Sequence, residues 1–107
     1  MVVSLDIVKI SKNSGISQKV LGEIVYLAEK YEIKELILFG SRARGEYYRT
    51  SDIDLAVSGG NIDRFSLSVD EETSTLLKFD HVNLDRAVQP GLRESIMREG
   101  IKIYEKI

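Results

Sequence analysis

The residues best suited to chemistry lie between Leu38 and Leu55. Gly40 closes a short apolar run, and a residue without a side chain there lets backbone approach a ligand closely. Ser41 follows and opens a helical turn, which aims its hydroxyl and the nearby backbone N–H groups at one spot. Such a helix start favours an anion, and phosphate is the commonest biological one. Downstream, Asp52 and Asp54 stand two apart in the run DIDLAV. In a strand they project from one face, while Ile53, Leu55 and Val57 anchor the other. Adjacent carboxylates repel each other, and a hard divalent cation removes the repulsion. Magnesium, which prefers oxygen ligands shared among carboxylates, water and substrate phosphates, is the expected ion. A phosphate seat beside a carboxylate pair is the equipment of metal-assisted nucleotidyl transfer.

A third acid is expected from the next strand-like run, which begins near Asp80. Asp80, Val82 and Leu84 share a face there. Asp80 is the choice for the general base that takes a proton from an attacking hydroxyl, in reach of a metal; Asp85, in the following turn, is the alternative. Arg42 and Arg44 directly after Ser41, and Arg49 in the same loop, offer guanidinium donors to a triphosphate or a leaving pyrophosphate. His81 is set aside because magnesium seldom takes imidazole. Tyr47 and Tyr48 suit base stacking, a partner contact or ordinary loop packing. Asp70-Glu71-Glu72 reads as a solvated helix face.

These residues need a scaffold, and hydrophobic periodicity outlines one. Ser17 is a candidate N-cap, and Val20, Leu21, Ile24, Leu27, Ala28 and Tyr31 recur at helical spacing, predicting a helix over 17–31. Residues 35–39 read as a buried strand, 41–51 as a helical turn and loop, and 52–57 as a second strand. A helix over 62–78, a third strand over 79–84, a helix from Pro90 stopped by Gly100, and a closing strand over 101–104 complete the reading. Residues 1–16 mix the two periodicities through Val2, Val3, Leu5, Ile7, Val8 and Ile10. They form an extension of undefined structure. The fold class is α/β (α+β), a small mixed sheet flanked by helices.

The chain of 107 residues fits a single domain, 1–107. A net charge of −2 argues against a broad face for nucleic acid. With no cysteine, thiolate metal sites and cysteine nucleophiles are excluded. The N-terminal run lacks a basic n-region, and no stretch has the apolar length of a membrane span. A cytoplasmic protein is expected, with no membrane partner.

Gly40-Ser41, ten intervening residues and Asp52-Ile53-Asp54 resemble the glycine–serine to Asp-x-Asp signature of the polymerase-beta-like nucleotidyltransferase superfamily. More narrowly, the chain resembles the minimal nucleotidyltransferase (MNT) family. The likeness runs from about Ser17 to the C-terminus, through the strand carrying Asp80 and the closing LRESIMREGIKIYE segment. It implies a nucleotidyltransferase fold, two magnesium ions and a nucleoside triphosphate, with ATP the expected one. By position, Gly40 and Ser41 would hold phosphate, Asp52 and Asp54 would bind metal, and Asp80 would complete the triad. The resemblance also implies a small helical HEPN-type protein as partner in a toxin–antitoxin pair. The expected reaction is transfer of AMP from Mg-ATP to a hydroxyl of that partner, the chain acting as the antitoxin. The competing reading is a nucleotide-binding antitoxin module that neutralises its partner by contact.

Overall fold

The computed structural model describes residues 2–4 and 6–107. In chain order the elements are β1 (Val2–Ser4), α1 (Ile7–Ser14), α2 (Gln18–Lys30), β2 (Glu35–Phe39), α3 (Gly40–Arg44), β3 (Ile53–Ser58), α4 (Ile62–Glu72), β4 (Phe79–Asn83), α5 (Pro90–Glu99) and β5 (Ile101–Lys106). The strands form one mixed sheet of order β1-β5-β2-β3-β4. β2 runs antiparallel to both β3 and β5, β1 runs antiparallel to β5, and β3 pairs with β4 in parallel. No helix among the described residues is long and apolar enough to cross a membrane.

The expected elements appear with bounds set by local chemistry. The Ser17 hydroxyl accepts from the Val20 N–H at 3.1 Å and so starts α2 where an orphan donor needs a partner. The stretch 1–16 resolves into β1 and α1, with Asp6 capping α1 through the Lys9 N–H at 3.0 Å. Leu5, one of the apolar residues expected there, lies outside the described residues. The helix expected over 62–78 ends at Glu72 instead. Thr73 turns extended, and Glu23 of α2 captures the Ser74 N–H at 2.9 Å and its hydroxyl at 2.6 Å. Short hydroxyl side chains compete with helix bonding, and Ser74-Thr75 finds better partners outside it. Leu76, expected on the helix stripe, is fully exposed.

Strand alternation sorts the core into two layers. Ile53, Leu55 and Val57 of β3 lie in the larger cluster with Ile24, Leu27, Phe65 and Val69, beneath α2 and α4. The other face carries a smaller cluster of Ile37, Ala56, Leu84 and Ile96, covered by α5, with Phe39 and Val82 packed at its margin. Asp54 and Asp80 fall on this thinner face by parity with Ala56 and Val82.

Arg42 has a different task from the phosphate contact expected of it. It is only 2% exposed, and its guanidinium faces the fold, not solvent. Nε donates to the Ser51 carbonyl at 3.0 Å, Nη1 to Ser14 at 2.9 Å, and Nη2 to Arg49 at 3.2 Å and Tyr48 at 3.5 Å. The Tyr47 ring lies 4.9 Å from the charge. A loop of this length carries many polar backbone groups, and a forked donor of five N–H groups satisfies several from one point. Arg42 thus fastens the loop before Asp52 to the end of α1. Replacing Arg42 with Met leaves these carbonyls unpaired and is expected to cost about 3 kcal/mol of stability, read as a lower urea midpoint with an unchanged slope. Arg42→Lys, which cannot fork, is expected to recover only part of the loss; a wild-type midpoint for Arg42→Met would remove this structural role.

Candidate active site

Three chain segments end at one edge of the sheet. Phe39, the last residue of β2, is the Cα partner of Asp54, and Asp54 is the partner of Asp80 on β4. Gly40 follows Phe39 at a φ of 75°, a conformation that L side chains rarely adopt. A Cβ on Gly40 would also strike the Asp54 carboxylate, so glycine is required there twice over. Ser41 comes next, half-buried in the five-residue α3. No side chain caps this turn, because its N-cap is Phe39. Its first N–H groups therefore lack the side-chain acceptor that Ser17 or Asp6 supplies elsewhere.

The electrostatics centre on Asp54, whose pKa is raised from 3.8 to about 6. Burial contributes most, followed by a hydrogen bond to Asp80 and then by the negative charges of Asp80 and Asp52. Arg44 opposes these effects and favours the ionised form. Arg44 itself pairs with Glu99 at 3.3 Å and Glu46 at 3.7 Å, and exposed pairs of this kind are weak enough to exchange for a stronger anion.

Of the expected site residues, the structure brings together Gly40, Ser41, Asp54 and Asp80, with Asp52 and Arg44 close enough to act on the Asp54 charge. It separates Arg42, as described, and Asp85. Asp85 lies past the opposite end of β4, where its Oδ2 accepts the Gly59 N–H at 2.9 Å. His81 faces away from Asp80 and donates or accepts through Nε2 with Asp70 at 2.9 Å. Among the described residues no three His, Cys, Asp or Glu side chains are gathered around one point as a metal cage. The donor set nonetheless fits a hard cation, since it is all oxygen and contains a carboxylate pair whose mutual repulsion a cation would offset. Magnesium is commonly held by one or two carboxylates together with substrate phosphates.

The sequence reading missed the surroundings of Asp80. An open groove of about 380 Å³ runs beside it, lined by Asp52, Asp70, Leu77, Lys78, Phe79 and Asp80. The signal for Lys78 was available in its position two residues before Asp80.

One edge of a small mixed sheet thus gathers a glycine-led turn and paired acids. The family profile described as "Polymerase beta, Nucleotidyltransferase" matches residues 22–107. A Methanocaldococcus jannaschii protein named "Putative protein adenylyltransferase MJ0604" is 45% identical over 99 residues, covering 81% of this chain and 97% of that relative. Among solved structures, one described as a "putative minimal nucleotidyltransferase" superposes with a TM-score of 0.58 at 26% identity, covering 91% of this chain and 95% of the other. A chain of the complex between a tri-AMPylated Shewanella oneidensis HEPN toxin and an MNT antitoxin shares the fold with a TM-score of 0.59 at 19% identity, over 83% of this chain and 71% of that one. The chain belongs to the polymerase beta nucleotidyltransferase family and is a minimal nucleotidyltransferase.

The raised Asp54 pKa has a consequence for stability. Below about pH 4 Asp54 is protonated whether folded or unfolded, and the effect vanishes. Between about 4 and 6 the folded chain keeps a proton that the unfolded chain has lost, so stability falls as pH rises through this window. Above it the whole penalty applies. Asp54→Asn is therefore expected to be more stable than wild type at neutral pH by about 1 kcal/mol, after allowance for solvent screening of a half-buried group. The two should converge near pH 4 in thermal melts, and a gap that persists at low pH would contradict the assignment.

Proposed function

We propose that this minimal nucleotidyltransferase transfers AMP from magnesium-bound ATP to a hydroxyl of a partner protein. The observation that carries the reading is the row Gly40, Asp54, Asp80 at one sheet edge, with Phe39, Asp54 and Asp80 in register across three strands. Asp52 and Asp54, with Asp80 beside them, would hold the magnesium, two ions in the expected form of the site. Gly40 and Ser41 would seat the phosphates through backbone N–H groups and the serine hydroxyl, and Arg44 would exchange its surface carboxylates for them. The bound cation supplies charge neutralisation at the transferring phosphoryl group.

In the transfer, the attacking oxygen forms a bond to the α-phosphorus while the bond from that phosphorus to the bridging oxygen breaks, releasing pyrophosphate. The proton of the attacking hydroxyl passes to Asp80, which faces the open groove and is within hydrogen-bond reach of Asp54. The choice of AMP draws support from the M. jannaschii relative's name. The choice of a HEPN-type acceptor, with this chain as antitoxin, draws support from the AMPylated toxin complex that shares the fold. A cytoplasmic setting suits a consumer of ATP and magnesium.

With magnesium, labelled ATP and a HEPN-type partner protein, the chain is expected to label that partner. Asp52→Asn and Asp54→Asn should each lower the rate about a hundredfold or more, and chelation of magnesium should stop it. Equal labelling by wild type and by the double Asn variant would sink the reading.

A further inference from the structure

Helix α2 buries Val20, Leu21, Ile24, Leu27 and Ala28 in the larger core cluster and turns Gln18, Lys19, Gly22, Tyr26 and Glu29 outward. The outward residues recur at helical spacing, so they form one continuous stripe. Its middle residue is unexpected there. Glycine is among the poorest helix formers, and its usual reasons are a left-handed backbone or a close approach by other atoms. Gly22 has neither within its own chain. Its φ is not positive, and a Cβ there would meet nothing within 4 Å among the described residues. The single chain would accept a larger side chain at this point, so only an approach from outside uses the bare backbone.

The surface around Gly22 is concave. An open groove of about 440 Å³ is lined by Lys19, Gly22, Glu23, Tyr26 and Leu27 of α2 and by Glu72 at the end of α4. Tyr26 lines it while 64% exposed. Glu23 holds the N–H and the hydroxyl of Ser74, which keeps the segment after α4 alongside α2. Two residues beyond Ser74, Leu76 is fully exposed. A ring and a leucine left in water near a groove are apolar area that association would remove from solvent.

The stripe is its own complement. In an antiparallel contact of two α2 helices centred on Gly22, residues equally far from the centre on opposite sides face each other. Lys19 stands three positions before Gly22 and Tyr26 four after it. Each Lys19 ammonium therefore meets the ring face of the other copy's Tyr26, and a two-fold axis makes the pair twice. Glycine against glycine lets the helix axes approach to the near end of the usual range of about 8–10 Å, which brings both pairs together. We propose that the Lys19–Gly22–Tyr26 face of α2 is the contact of a symmetric dimer, occupied by a second copy of this chain. One helix from each copy makes a small interface, so the dimer is weak and depends on concentration. This contact uses the helical layer alone and is independent of the nucleotidyl-transfer reading of the sheet edge.

Sedimentation velocity of the full chain, from low to high micromolar concentration, is expected to show a coefficient that climbs from monomer towards dimer. Gly22→Gln fills the seam and should abolish the dimer. The same variant should raise the urea midpoint of the monomer, because a better helix former enters open space, and this separates a lost contact from a lost fold. Lys19→Ala and Tyr26→Ala should each weaken association about tenfold, since either removes both symmetric pairs. Lys19→Arg should keep it, because a guanidinium also stacks on an aromatic face. A wild-type chain that stays monomeric throughout overturns the proposal, as does a Gly22→Gln or Lys19→Ala variant that dimerises like wild type. A lowered midpoint in Gly22→Gln overturns it too, by showing that the single chain needs the glycine. So does a monomeric chain whose binding of a HEPN-type protein is lost in Gly22→Gln, which would give the face to another occupant.

Discussion

Asp54 and Asp80 are Cα partners on neighbouring parallel strands, and ionising both like charges at that separation costs stability. Burial first, and then that repulsion, lets Asp54 keep a proton up to about pH 6. A cation is the other remedy, and it stabilises the fully ionised pair that the proton displaces. In the proposed reading, the cost of ionising the pair is what a bound cation would offset. Family membership makes the chain a nucleotidyltransferase, and this interaction is where its sequence and its proposed chemistry meet.

Holding that pair in place takes more of the chain than the motif itself. β3 is buried on both faces, with Ile53, Leu55 and Val57 on one side and Ala56 on the other, so Asp54 has little freedom to withdraw. The loop that delivers Asp52 is fastened by Arg42 to the last turn of α1. Gly15, the left-handed cap of α1, leaves room for the Tyr47 ring that in turn lies under Arg42. The end of α1 therefore bears on the candidate site through Ser14 and Gly15.

Much of the arrangement of the candidate site was legible because it is local. Gly40-Ser41 and Asp52-x-Asp54 are short-range patterns, and the two-residue period of a strand is enough to align the acids. Arg42 was misread because sequence shows that a guanidinium follows the phosphate seat but not that loop carbonyls claim it. Arg44, two residues on, is exposed and acts on the Asp54 charge. The early end of α4 was hidden for a similar reason, as Glu23 reaches Ser74 from 51 residues away. Asp85 stayed an alternative to Asp80 because an acid near a strand does not reveal which end of the sheet it marks.

Strand direction sets which end of the sheet each of these acids occupies. β2 and β3 are antiparallel, so the end of one meets the start of the other, and Gly40 comes to Asp54 through the loop alone. β4 must start at the same edge for its first acid to join them, which requires a parallel pair and a crossover long enough to contain a helix. α4 is that crossover. An antiparallel β4 of the same five residues would carry Asp80 to the far edge, about 15 Å away at the usual rise per residue, and would bring Asp85 forward instead. The helix between β3 and β4 thus decides which carboxylate lies beside Asp54, and Asp70 of that helix together with Leu77, Lys78 and Phe79 lines the groove there. Topology, more than any single side chain, turns two separated acidic motifs into one candidate centre.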